Sequence, residues 1–211
     1  MQDGVGKRKT GRNGHRLDLQ KFVEDISLDG DIGGTIVDFY AMSTAISIHG
    51  FEKGVHQFVR DLDTARPGME IVSAIVTHLT KGISGLKGDI LRKAANEALL
   101  DAAGLGYGPE RLNVKAGLER FLKKRGPRKM LELFLCRYVF STIWIRSQEA
   151  IRKQVGGRTL GKSMIEIERF CVSAVKSVLD EWEAEEKLEG LTRKRRLGAL
   201  LMRTIAARLV E

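Results

Sequence analysis

Proline is scarce in this chain, with 3 residues in 211, and aromatic residues make up only 6%. Sandwiches and barrels of many short strands draw heavily on aromatic and β-branched residues. Ala, Leu, Ile, Lys, Arg and Glu dominate instead, which leans toward helix. Cysteine is scarcer still. Cys136 and Cys171 stand 35 residues apart in apolar periodic segments, and neither has a CxxC or CxxH neighbour. They read as buried reduced thiols, with a disulfide or metal pair as the alternative. Such usage suggests a reducing, cytosolic compartment.

Long hydrophobic runs are lacking too. The most apolar stretch, Met130 to Ile145, is interrupted by Glu132 and Arg137. It falls short of the roughly 20 apolar residues that span a bilayer, so it reads as a core helix and no membrane partner is expected. The first sixteen residues are basic and glycine-rich with no apolar core after them, so no secretory signal is expected and the location reads as cytoplasmic. The four histidines, His15, His49, His56 and His78, form no HExxH or HxxE arrangement, and no GxSxG elbow occurs. The acid pairs Glu166/Glu168 and Glu183/Glu185 are two residues apart, a spacing that turns them away from each other on a helix. No catalytic residue, metal or cofactor is expected from these patterns, and the chain reads as non-enzymatic.

One motif argues otherwise at first sight. Gly156-x4-Gly161-Lys162-Ser163 matches the phosphate-binding P-loop letter for letter. That loop works only between a strand and a helix, where backbone N–H groups converge on phosphates. Here the residues before it, Ile145 to Val155, read as the end of a long helix, and everything after it looks helical. The same residues serve as punctuation. Gly156 and Gly157 end one helix. Ser163 starts the next, with Glu166 spaced for a capping box.

The remaining chain reads as one all-α domain over 17–211, preceded by a flexible basic Gly-rich tail over 1–16. Seven to nine helices are expected around a central, long hydrophobic one. A short helix fits Leu17–Ile26, and Asp29–Gly34 reads as a turn. A helix with a strand alternative then covers Thr35–His49, its stripe Ile36, Val37, Tyr40, Ala41, Thr44 and Ile48. Further patterns cover Phe51–Leu62 and, after Pro67, a stripe from Met69 to Leu79. Gly82 and Gly85 end that stripe, and Asp89 caps a helix whose narrow face is Ile90, Leu91, Ala94, Ala95, Ala98 and Leu99. Gly104–Pro109 is a loop. Val114–Lys124 is amphipathic and Gly126-Pro127 ends it. Arg128 to about Val155 is apolar on most of its circumference, as suits a helix at a domain's centre. Ser163 to about Leu188 follows, with Ile167, Cys171, Ala174, Val175, Val178 and Trp182 on one face. Thr192–Val210 closes the chain.

Charge is strongly positive, formally +9, and it is clustered. Lys7, Arg8, Lys9 and Arg12 lie in the tail, with Arg16 at its end. The segment KKRGPRK contains Lys123, Lys124 and Arg125, and Arg193, Lys194, Arg195 and Arg196 form a third block. These residues are candidate contacts for an acidic partner or for nucleic acid. Solvated helix ends are the simpler account. Aromatic interleaving for base stacking is absent, so any nucleic-acid binding would be non-specific and salt-sensitive.

Three stretches carry a family likeness: ILRKAANEALLDA (Ile90 to Ala102), LFLCRYVFSTI (Leu133 to Ile143) and IEIERFCVSAVKSVLD (Ile165 to Asp180). Together they resemble the B component of the bacterial Qat, or Qatuor, anti-phage defence system. Arg92, Asn96, Glu97, Tyr138, Val139, Phe140 and Glu168 are the similar positions, within about residues 66–180. The resemblance implies a non-enzymatic interaction component of a defence complex. Its implied partner is a QueC-like enzyme related to deazaguanine synthesis, beside an ATPase and a TatD-like nuclease. The resemblance also implies that the N-terminus is a modification substrate of the QueC-like protein. This chain departs from the pattern there, beginning Met1-Gln2-Asp3-Gly4 in place of a Met-Gly start.

Overall fold

Apolar residues recurring three or four apart dictate helix, and helix is what forms. The computed structural model describes residues 30–60, 62–63, 68–104, 113–155 and 160–185, with the single positions 204 and 207. Among the described residues there is no strand. Six helical spans follow one another: α1 (Gly30–His49), α2 (Phe51–His56), α3 (Gly68–Leu79), α4 (Gly85–Ala103), α5 (Val114–Val155) and α6 (Leu160–Glu185). The all-α class holds for them. The tail, the Leu17–Ile26 helix and nearly all of the Thr192–Val210 helix lie outside the described residues.

α1 starts earlier than its composition suggests. The run Asp29–Gly34 was expected to turn, yet Gly30 already opens the helix. Glycine costs about 1 kcal/mol in a helix interior, whereas burying an isoleucine gains about 1.5–3 kcal/mol. Ile32 and Ile36 are both buried, which decides the contest. The expected stripe is corrected as well. Ile32, Thr35, Ile36, Phe39, Met42, Ser43 and Ile46 face the core, while Tyr40 and Thr44 are half-buried and Ile48 is 68% exposed. Thr35 donates from Oγ1 to the Leu79 carbonyl at 3.1 Å, tying α1 to the end of α3.

α3 buries Val72, Ile75, Val76 and Leu79 of its expected stripe and Ile71 beside them, although Met69 is exposed. α4 buries every residue of its expected small-residue face. Its start differs: Gly85 opens the helix after Ser84, and Asp89 lies inside it, accepting from Arg92 at 2.7 Å. Gly85 therefore begins a helix instead of finishing one. Gly104 ends α4 in the left-handed conformation at φ 86°, as a C-terminal glycine can.

α5 is one helical span bent into two arms. Asn113 opens the first, its side chain accepting from the Ala116 N–H at 3.2 Å. Gly126, at φ 79° and ψ 165°, divides the arms, and Pro127 opens the second. The break foreseen at Gly126-Pro127 is thus a kink. The first arm buries Val114, Leu118 and Leu122, and a Cβ on Gly117 would lie 2.4 Å from the Ala103 carbonyl oxygen of α4. From Gly126 to Ile145, no position of the second arm is exposed. Phe134 stacks on Phe39 of α1 with centroids 4.5 Å apart. Each of the five other described helices touches α5.

α6 runs back along the second arm of α5, burying Cys171, Ala174, Val175, Val178 and Leu179. Its described span begins at Leu160, so Ser163 sits within the helix and not before its first turn. The glycine doublet lies between two helices, with residues 156–159 outside the described residues.

Candidate interaction site

The segment KKRGPRK looks uniform in sequence and is split in the structure. Arg128 and Lys129 open the second arm of α5, where the helix dipole disfavours cations. Both are neutralised locally: Arg128 pairs with Asp180 of α6, and Lys129 with Glu132 one turn on, at 2.5 Å. Those two cations are occupied inside the fold, Arg128 between α5 and α6 and Lys129 within α5.

Lys123, Lys124 and Arg125 end the first arm, and all three are exposed. Arg120, one turn earlier, is exposed with them. The buried stripe of this arm, Val114, Leu118 and Leu122, directs Arg120, Lys123 and Lys124 outward by simple helical geometry. Among the described residues none of the four has an ion-pair partner. Glu119, the nearest carboxylate in sequence, turns away to accept from the Phe51 N–H at 2.6 Å. Lys115 is likewise occupied, 3.5 Å from Glu52. Cations at a helix C-terminus contribute about 0.3–1 kcal/mol through the dipole, which gives the stripe a structural role. It leaves four donors facing solvent without a counter-charge. Arg120 was missed by the sequence reading, because only helical spacing joins it to the block.

A second cluster lies where α4, α5 and α6 meet. Arg137 of α5 reaches Asp101 of α4 at 2.9 Å and Glu168 of α6 at 3.7 Å. Burial works against the Arg137 charge, and Asp101, Glu97 and Glu168 outweigh it, so its pKa stands above the ordinary value. Two of the residues that carry the family likeness, Glu97 and Glu168, act on Arg137 here. Glu97 lies on α4 beside Lys93 at 3.9 Å, Tyr138 and Val139 are buried on α5, and Glu168 pairs from α6. Phe140 stacks on Trp144 with centroids 6.3 Å apart. Arg92 is held by Asp89 and by the Ile83 carbonyl. Of the contacts these residues make, the Arg137–Glu168 pair runs between helices, the others lie within one helix or at its start, and Asn96 and Glu97 are half-buried.

Cys136 and Cys171 are free thiols. Burial pushes both up to about 12. Glu132 adds to the effect at Cys136, and Cys136 itself adds to it at Cys171. Cys136 and Cys171 are thus on facing helices, α5 and α6, which pack together.

A cleft of about 360 Å³ lies between the end of α2 and α3, with Arg60, Asp63 and His78 around Phe58, Val59 and Ala74. Among the described residues no group of three His, Cys, Asp or Glu is placed to hold a metal ion, and no helix is long and apolar enough to cross a membrane. Lys7, Arg8, Lys9, Arg12, Arg193, Lys194, Arg195 and Arg196 lie outside the described residues. No family model, curated protein or solved structure matches the chain.

Proposed function

We propose that the chain is a non-enzymatic interaction component of a bacterial anti-phage defence complex, similar to the B component of the Qat system. Its partner in this reading is a QueC-like protein. The observation that supports it most is the meeting of the three resembling stretches at the Arg137 cluster. Residues that look alike in sequence thereby form one packed body. Around that body, the four-cation stripe of α5 and the exposed Ile165, Phe170 and Val172 of α6 supply surface for contact.

In this reading residues 17–211 make one domain of seven to nine helices, with Leu17–Ile26 and Thr192–Val210 added to the described spans. The hydrophobic second arm of α5 forms its centre. Residues 1–16 are a basic tail that presents the N-terminus to the QueC-like enzyme for modification. An ATPase and a TatD-like nuclease complete the complex, which is cytoplasmic. The test is co-expression with a QueC-like protein from the same gene neighbourhood. A complex that survives size-exclusion chromatography is expected. Separate elution at micromolar concentrations of both would defeat the proposal.

The α5 stripe supports a second reading, non-specific nucleic-acid binding. Log affinity would then fall linearly with log salt, by about 0.9 for each duplex phosphate contacted. Replacing Arg120, Lys123, Lys124 and Arg125 with Gln would shallow that slope. An unchanged slope removes the stripe from the account.

A further inference from the structure

Two ion pairs fix how α5 and α6 lie against each other. Arg128 pairs with Asp180, and Arg137 pairs with Glu168. Moving nine residues forward along α5 matches moving twelve residues back along α6, so the helices are antiparallel with a set register. Cys136 stands one residue before Arg137, and Cys171 stands three residues after Glu168. Both cysteines fall between the same two ion pairs, at one level of the interface. Cys171 lies in the middle of the buried face of α6, with Ala174, Val175 and Val178. Cys136 is half-buried on the side of α5 that carries Glu132, the side away from Phe134 and Tyr138.

We propose that Cys136 and Cys171 form an oxidisable pair, a modification site at which a low-molecular-weight disulfide links α6 covalently to α5. The chemistry balances as two thiol–disulfide exchanges. The half-buried Cys136 loses its proton to solvent, and its sulfur attacks one sulfur of glutathione disulfide, expelling a glutathione thiolate. Cys171 then loses its proton, attacks the Cys136 sulfur and expels the second glutathione. One disulfide is reduced to two thiols while two protein thiols become one disulfide, and the two released protons end on the two glutathiones. A protein disulfide needs Cα atoms about 4.4–6.8 Å apart. Packed helices with axes about 8–10 Å apart reach that separation where small side chains face each other. The link matters because α5 is the main neighbour of α6 among the described helices.

The surroundings set the rate. The thiolate is the attacking form, and each thiol is held near 12 by burial. Glu132 and Glu168 oppose ionisation of Cys136, Lys129 and Arg137 favour it, and Cys136 and Glu168 oppose ionisation of Cys171. Oxidation is therefore slow at neutral pH and quickens about tenfold per pH unit, with no plateau near pH 9.

The test treats the full reduced chain with glutathione disulfide across a pH series and maps the products under non-reducing conditions. A monomer lacking two hydrogens, with the peptides of Cys136 and Cys171 joined, is expected, and its thermal midpoint rises by several degrees. Cys171→Ala is expected to stop at a glutathione adduct on Cys136. Three results overturn the proposal: adducts on Cys136 of the unaltered chain beside a free Cys171, linkage between two chains, or both thiols of the folded chain reacting no faster at the alkaline end of the series than at neutral pH.

Discussion

The two arms of α5 share a helix and a basic character, yet differ in what surrounds their charges. The first arm buries one narrow stripe and turns Arg120, Lys123, Lys124 and Arg125 to solvent. The second exposes no position from Gly126 to Ile145 and places its cations against Asp180, Glu132, Asp101 and Glu168. Charge near the core is structural when an acid waits across the interface, and free for other partners when none does. Sequence alone ranks all these cations equally.

The comparison breaks hardest in the second arm. Phe134→Ala removes a fully buried ring stacked on Phe39, and a loss of about 3–5 kcal/mol is expected, read from denaturant unfolding. Its first-arm counterpart in strain is Gly126→Ala. No neighbour obstructs a Cβ there, but φ 79° with ψ 165° is a backbone region kept almost wholly to glycine. A cost of about 1–3 kcal/mol is expected, unless the arms change their angle, which small-angle scattering would detect.

Next comes pH. Burial raises the Cys136 and Cys171 pKa values from 9.0 to about 12, so the native state prefers the neutral thiols. Their contribution is intact below pH 9 and declines as pH climbs toward 12, by up to about 1.4 kcal/mol per pH unit for each thiol. Cys171→Ala should flatten the alkaline limb of the stability profile relative to the unaltered chain. The smallest effect belongs to the exposed stripe. Changing Arg120, Lys123, Lys124 and Arg125 to Gln should move stability by less than about 0.5 kcal/mol per position, while the same changes at Arg128 and Arg137 should cost more.

How far the sequence led depended on how local the cause was. The α4 face from Ile90 to Leu99 and the α3 stripe were legible because burial there follows helical period directly. The bend at Gly126-Pro127 was legible from two residues whose backbones admit few alternatives. The start of α1 was not, because glycine's local preference lost to Ile32 and Ile36 meeting a core that the sequence does not display. Asp89 and Ser163 resembled caps by spacing, yet their helices start four and three residues earlier, at Gly85 and Leu160. The candidate site was half legible. Lys123, Lys124 and Arg125 stood out as a block, but separating them from Arg128 and Lys129 required knowing where Asp180 and Glu132 sit. Pairing Cys136 with Cys171 required a register that only tertiary contacts define.

The bond from the Phe51 N–H to Glu119 has a bearing on the order of assembly. α2 has six residues, too few to persist alone, and Gly50 before it has no side chain to offer its first amides. The acceptor arrives from 68 residues further along the chain. α2 is therefore a late structure, completed when the first arm of α5 docks. Its amides should exchange with deuterium sooner than those of α4, and sooner again in Glu119→Ala.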